Sequence, residues 1–438
     1  MNREPMQNID VSDTKYSDAD SDLMINNLVY EMPRSLSLAT GRTHVSQFPQ
    51  RATYTVDRNS TMVFQWNTGN AYIDCSNSYL RFKMKANGPA FATAPTLGSG
   101  SALNLFHEYR IRSRSGVELD RLENCNLYNQ YRLKYTKTTN WLSTVGQSFF
   151  YNSGTAVFNS ANTYIPDVCI PLCELATFFC PIKKGQLLPP QVASGLQIEL
   201  SLESIARAFV DGNTFFQAGS SLELTDIAMV LDTVSLSDET SKLLNLESSQ
   251  SGLEWCYNRI YNYSATYAAG TSNFTLQVSK AVSQATHAFM VTQDSALTQN
   301  GLFDSFQSEQ FKYKSWQFRL GSSYYPNQVV NNQTTVVPIK GMESYLLTMA
   351  SFEKMKTPFQ ETSVSPSLYS STHGLIGVSL ERNQSLAVSG LPINNSRILE
   401  ILVDRDGSAD GADKRDVNCF LTYISVAKAY IDNLSVAI

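Results

Sequence analysis

The sequence predicts an all-β protein made of two β-sandwich domains in tandem, with a few short helices in the connecting loops. Three observations carry the prediction. Short runs of alternating apolar and polar residues recur along most of the 438 residues. One polar seam, residues 235–252 (SLSDETSKLLNLESSQSG), separates two blocks of similar length. The two blocks also end alike, each with an alternating strand, a polar loop and a long final strand. A chain of this length exceeds what one core usually supports, which agrees with two domains.

Residues 1–50 read as an arm with few periodic apolar positions and seven acidic against four basic residues. One reading is a floppy terminus. The other is an extended segment that orders against a neighbouring subunit. Leu23-Met24-Ile25 and Leu28-Val29-Tyr30 are apolar enough to dock, which favours partial ordering.

The first domain is expected over residues 51–236. Residues 53–56 alternate, and 60–66 (STMVFQW) are β-branched and aromatic. In 78–85 (SYLRFKMK), Leu80, Phe82 and Met84 share one face and Arg81, Lys83 and Lys85 the other. Residues 87–101 are a Gly/Pro/Ala/Ser loop. Residues 102–122 form two strands around the turn Ser115-Gly116. A helix is expected over 123–135 and a polar, aromatic loop over 140–165. Residues 195–203 (GLQIELSLE) alternate strictly, with Leu196, Ile198, Leu200 and Leu202 inward, and 221–234 close the block.

The connector is residues 237–252. Ser237 and Asp238 suit a helix N-terminus, Glu239 suits its positive end, and Lys242, Leu243, Leu244 and Leu246 continue it. Residues 248–252 then read as a polar, flexible stop.

The second domain is expected over 253–438. Strands are expected at 253–263, 273–278, 286–292, 314–320, 375–380, 396–403 and 417–427. Residues 321–326 (GSSYYP) read as a turn and 341–354 as a helix. Both blocks open on aromatic-rich strands and carry one helix in a long connection, yet there is no residue-level repeat. Many short strands with long loops point to a Greek-key or jelly-roll sandwich rather than a propeller.

Composition narrows the function. Charged residues are 17% and aromatics 11%, with 22 Tyr and 22 Phe. A sparsely charged surface rich in aromatic, amide and hydroxyl groups suits broad protein–protein contact. The net charge of −5 argues against wholesale nucleic-acid binding. No run reaches the roughly 18 apolar residues of a membrane span. The polar, acidic start does not resemble a signal peptide. With seven Cys at irregular positions, the expectation is therefore reduced thiols in a cytosolic or nuclear compartment. The triplet Asn262-Tyr263-Ser264 fits the N-glycosylation pattern but carries little weight without a secretory route.

Residues with possible chemistry each have a plainer reading. Cys169, Cys173 and Cys180 cluster, but no CxxC or nearby His completes a zinc set, and buried small hydrophobes are the plainer reading. Arg110, Arg112 and Arg114 form either a phosphate-binding stripe or an ordinary face partly neutralised by Glu118 and Asp120 across the hairpin. The four His, at 44, 107, 287 and 373, are isolated in sequence, and His107 and Glu108 point to opposite faces of a strand. Glu199 and Glu203 share a strand face, as a glycosidase pair would, or simply face solvent. Asp404, Asp406, Asp410 and Asp413 supply oxygens for calcium, but at spacings unlike an EF-hand, so a solvated loop is the plainer reading. No catalytic, cofactor-binding or metal-ligating residue is assigned, and no enzymatic activity is expected.

Four stretches in order carry a resemblance: 101–130 (SALNLFHEYRIRSRSGVELDRLENCNLYNQ), 170–202 (IPLCELATFFCPIKKGQLLPPQVASGLQIELSL), 316–328 (WQFRLGSSYYPNQ) and 386–403 (LAVSGLPINNSRILEILV). Together they resemble the double jelly-roll major capsid proteins of small eukaryotic double-stranded DNA viruses, namely polinton-like viruses, virophages and adintoviruses. The resemblance implies two jelly rolls side by side, a homotrimeric pseudo-hexagonal capsomer, and an icosahedral shell around a dsDNA genome. It further implies penton and minor or cement proteins as partners, a place in the virion, and assembly in the host cytoplasm or nucleus. Deleting residues 1–45 is expected to spare trimers and impair shells. The competing readings are a viral spike or penton component and a lectin- or glycosidase-like sandwich.

Overall fold

The computed structural model describes residues 39–88, 96–98, 101–150, 157–158, 165–183, 185–210, 221–296, 304–332, 341–352, 362–382, 389–407, 413–430 and 434–437. The first sandwich has eight principal strands: β1 (Ala39–Gln47), β2 (Thr61–Gln65), β3 (Tyr72–Asn87), β4 (Phe106–Arg112), β5 (Glu118–Glu123), β6 (Asp167–Pro171), β7 (Gln197–Leu202) and β8 (Ser221–Leu236). One sheet runs β1-β8-β3-β6 and the other β2-β7-β4-β5.

The second sandwich repeats the plan. Its strands are β9 (Leu253–Tyr267), β10 (Asn273–Val278), β11 (Val282–Asp294), β12 (Tyr313–Leu320), β13 (Ser323–Asn331), β14 (Ile376–Ser379), β15 (Leu399–Arg405) and β16 (Arg415–Ala429). Its sheets run β9-β16-β11-β14 and β10-β15-β12-β13. Adding eight to each label of the first sandwich yields the second. In both, the connection after the fifth strand carries a helix: α1 (Cys125–Thr136) in the first and α3 (Met342–Ser351) in the second.

The alternating segments behave as their period demands. Ile198, Leu200 and Leu202 of β7 are buried, as are Phe274, Leu276 and Val278 of β10, and the intervening side chains are more exposed. The central strand β16 instead buries nearly every residue. Its sheet is covered on one face by its own sandwich partner. On the other face lies α1 of the first sandwich, whose Tyr128 packs 5.9 Å from Phe289 and 5.5 Å from Phe420 between ring centroids.

Several expectations change. Residues 39–47 of the expected arm are β1, the first strand of the first sandwich, in antiparallel register with β8 from Ala39↔Leu236 to Gln47↔Met229. These residues pair with their own chain. Residues 1–38 lie outside the described residues. The connector helix α2 is longer than expected, Asp238–Gln250. Ser237 Oγ accepts from Thr240 N at 3.3 Å. Ser248, expected in a flexible stop, is buried and donates to Ala429 O at 3.2 Å. Gly252, at φ +78°, ends the helix, donating to Glu247 O at 3.1 Å.

Part of the loop expected at 140–165 is helical. Thr138 Oγ1 caps a short helix, Thr139–Ser143, by accepting from Trp141 N at 3.1 Å, and Leu142 and Phe149 are buried. The turn expected at 321–326 is only two residues long. Leu320 pairs with Ser323, and Tyr324 and Tyr325 already lie in β13. Gly321 at φ +61° makes the tight hairpin possible.

Candidate assembly surface and the seam behind it

Two elements of the first sandwich dock onto the second. The first is α1, which is buried on nearly all sides. Tyr131 donates its hydroxyl to Phe306 O at 3.1 Å and Tyr135 to His373 O at 2.7 Å. Tyr135 also stacks on Phe352, with centroids 5.1 Å apart. The Lys134 carbonyl accepts from Thr362 Oγ1 at 3.0 Å and Ser363 Oγ at 2.8 Å. The Lys134 ammonium meets His373 Nε2 in this buried layer. Burial pushes Lys134 down to about 8, and burial, then Lys134, pushes His373 down to about 2, so this imidazole is neutral.

The second element is the segment after β6. Phe178 packs against Tyr257 at 4.9 Å and Trp255 at 6.3 Å between centroids, and Trp255 Nε1 donates to Phe178 O at 3.0 Å. Ile182 N donates to Cys256 O at 3.0 Å, so the chain joins the edge of β9. Next to it, Arg259 of β9 reaches Glu118 at 2.9 Å and Asp120 at 3.7 Å on β5. The seam is thus apolar and aromatic with a polar rim. A polar cleft of about 460 Å³ opens along it between Arg58, Glu203, Arg207, Thr266, Asp416 and Asn418.

The candidate residues fall into ordinary structural roles. Arg110 and Arg112 reach Glu199 at 3.7 and 3.2 Å, and Arg110 reaches Glu118 at 3.8 Å. Arg114 is exposed, whereas Arg110 and Arg112 are thus neutralised, but not by Asp120. That carboxylate is fully buried, accepts the Tyr109 hydroxyl at 3.1 Å, and is pushed up to about 7 by burial against the pull of Arg259. Glu199 and Glu203 do not form a pair on a solvent face. Glu199 stays with the arginines, whereas Glu203 lies just past the end of β7 and is fully buried. There it meets His107 Nδ1 at 3.3 Å, Arg207 at 3.2 Å and Asn126 Nδ2 at 3.1 Å, and accepts from Ser204 N at 3.0 Å. Against its burial, His107, Arg207 and the Ser204 amide hold it down to about 2.

The structure therefore joins His107 to Glu203 and His373 to Lys134, two pairs with no local signal in the sequence. His44 lies on β1 opposite Asp232, and His287 on β11 opposite Ser379. Of the acidic loop, Asp404 belongs to β15, Asp406 N donates to Lys312 O at 2.9 Å, and the Asp413 carbonyl accepts from Arg415 at 3.1 Å. Asp410 lies outside the described residues. Among the described residues, no group of three or more His, Cys, Asp or Glu side chains converges to hold a metal ion, and no helix is long and apolar enough to cross a membrane.

What the outer surface offers is edges and apolar side chains. β1 and β13 are edge strands with largely exposed side chains. Tyr324 and Val329 of β13 are exposed, as are Met342 and Leu346, one turn apart on α3, and Leu368 nearby. Unpaired edges flanked by exposed apolar groups are surfaces that other chains can cover.

No family model and no curated protein matches the sequence. Solved structures do match. PBCV-1 Vp54, as fitted into a reconstruction of the virophage Sputnik, superposes with a TM-score of 0.62 at 11% identity, covering 94% of this chain and 98% of that one. The faustovirus major capsid protein gives 0.58 at 11% identity, covering 92% of each. The mavirus major capsid protein gives 0.53 at 10%, covering 100% of this chain and 97% of that one. Together with the twice-repeated strand order, these matches decide the fold. The chain is a double jelly roll. At such identity the likeness speaks to fold alone, and it spans the double jelly roll from end to end.

Proposed function

We propose that this chain is a viral major capsid protein. One observation carries the reading: two jelly rolls of identical strand order are locked side by side by α1 and the segment after β6, so each chain presents two similar outer edges. Three copies then present six, which suits a six-coordinated lattice position. On this reading the chain forms homotrimeric pseudo-hexagonal capsomers that tile an icosahedral shell around a dsDNA genome. Its place is the virion, and its partners are other capsomers together with penton and minor capsid proteins. The functional units are a first roll over 51–236 that also includes β1, the connector 237–252, and a second roll over 253–438. The role is structural and non-enzymatic. The glycosidase-like alternative loses its carboxylate pair, because Glu203 is buried in an ion cluster.

Light scattering on a sizing column tests the proposal. Three times 48.7 kDa, about 146 kDa, is the expected mass, with hexagonal outlines or shells in negative stain. A monomer over the micromolar range overturns it.

A further inference from the structure

The segment after β6 carries a second feature that the capsid reading does not use. Cys173 and Cys180 bracket the short helical turn that delivers Phe178 to the second roll. Cys173 donates its thiol to Phe179 O at 3.1 Å, one residue before Cys180, and it also lies 3.5 Å from Cys75 O. The Cys173 sulfur is thereby held one residue's reach from Cys180. Cys180 is exposed at the surface, whereas Cys75, Cys125 and Cys419 are buried.

The surroundings favour a thiolate at Cys180. The neighbouring Cys173 lowers its pKa, and the cations Arg132 and Lys137 add to this against burial and Glu174. Arg132 and Lys137 are fixed in place by Glu174, at 2.7 and 2.6 Å. Cys180 as a neighbour, and then burial, raise Cys173, leaving it as the thiol of the pair. The half-buried Cys169 and Cys256 are pushed up by burial. An exposed cysteine whose thiolate is favoured, with a second thiol held close by, is the arrangement of a redox-active pair.

We propose that Cys173 and Cys180 form a reversible disulfide by exchange with a low-molecular-weight disulfide such as oxidised glutathione. The Cys180 thiolate attacks one sulfur of the oxidant, forming a mixed disulfide and releasing one glutathione thiolate, which takes up a proton. Cys173, losing its proton, attacks Cys180 Sγ and releases the second glutathione. Two protein thiols are oxidised and one glutathione disulfide is reduced to two thiols. The new bond closes the turn whose Phe178 carbonyl accepts from Trp255 and whose next residues pair with β9. The disulfide therefore fastens the seam.

The full-length reduced protein is exposed to oxidised glutathione near neutral pH, its remaining thiols are blocked, and it is mapped by mass spectrometry. The expected product has lost two hydrogens and carries a Cys173–Cys180 cross-link. C173S should instead stop at a glutathione adduct on Cys180, and C180S should give neither. Before oxidation, Cys180 should alkylate about tenfold faster than Cys169 or Cys256 in the same molecule. Circular dichroism checks that both variants fold. Oxidation should raise the urea midpoint of the wild type and leave that of C180S unchanged. A cross-link mapped to any other pair, such as Cys180–Cys256, or Cys180 reacting no faster than Cys169, overturns the proposal.

Discussion

Two buried carboxylates of the first roll are held in opposite protonation regimes. Glu203, ordinarily near 4.5, is held to about 2, against its burial, by His107, Arg207 and the Ser204 amide. A folded-state pKa below the unfolded one contributes stability above the unfolded value and loses it as the pH falls from about 4.5 toward 2. Glu203→Gln should cost roughly 3 kcal/mol at neutral pH, because it leaves buried cationic groups short of a partner. The deficit should shrink toward pH 3, as read by urea unfolding at both pH values. Asp120, ordinarily at 3.8, is pushed up to about 7. It holds its proton longer folded than unfolded, so its contribution falls as the pH rises from about 4 through 7. Asp120→Asn should therefore flatten the loss of stability between about pH 5 and pH 8, and a slope equal to wild type contradicts this. Neither role is legible in the sequence. Glu203 has the parity of a solvent-facing strand residue, but β7 ends at Leu202 and the parity rule ends with it. His107 lies on a different strand, far along the chain, and only the fold brings the two together.

At the level of elements, legibility follows apolar periodicity. β7 and β10 alternate cleanly and can be placed almost to the residue, and the two helices after the fifth strands are found for the same reason. β1 escapes such a reading because ATGRTHVSQ carries no apolar stripe. It is an edge strand held by backbone pairing, by Arg42 in an ion cluster with Asp74 and Asp232, and by Thr43 facing Thr233 at 3.0 Å. Its exposed side chains leave no signal of burial to read. The last turn of α2 is equally hard to see, because serines suggest a stop, whereas Ser248 is turned inward. The truncation at residue 45 implied by the arm reading would strip most of β1. Removing residues 1–47 should therefore lower the urea midpoint relative to removing residues 1–38, because β8 loses its neighbour along eight registered pairs. Equal midpoints for the two truncations would remove β1 from the stability of the sheet.

Across the whole molecule, the duplicated strand order is legible from the two like endings, but the seam is not. Residues 123–135 read simply as a helix, and nothing local marks Tyr131 or Tyr135 as facing a second domain. Domains joined through small polar interfaces move relative to one another, while large apolar ones hold. Here Phe178, Trp255, Tyr257 and the tyrosines of α1 are all buried at the contact. Calorimetry of the isolated protein should accordingly show one transition for both rolls. Phe178→Ala should lower it, at a cost of about 3–5 kcal/mol for the lost ring. Two separate transitions in the wild type would show that the rolls unfold independently.

The pairing of β1 with β8 also sets a schedule. Arg42 and Asp232 are 190 residues apart, so the first sheet cannot close until nearly all of the first roll has left the ribosome. At about 5–20 residues per second, that is a wait of roughly 10–40 s with β1 unpartnered. Non-local closure of this kind is slow, and it exposes sticky intermediates. The next elements to emerge are α2 and then β9, whose Trp255 and Tyr257 come out early and land on Phe178. The order of synthesis thus delivers a cover for the apolar flank of the first roll soon after that roll can close. A permuted chain that began at residue 253 would make the cover long before the surface it protects, and would leave Trp255 and Tyr257 exposed until Phe178 emerged.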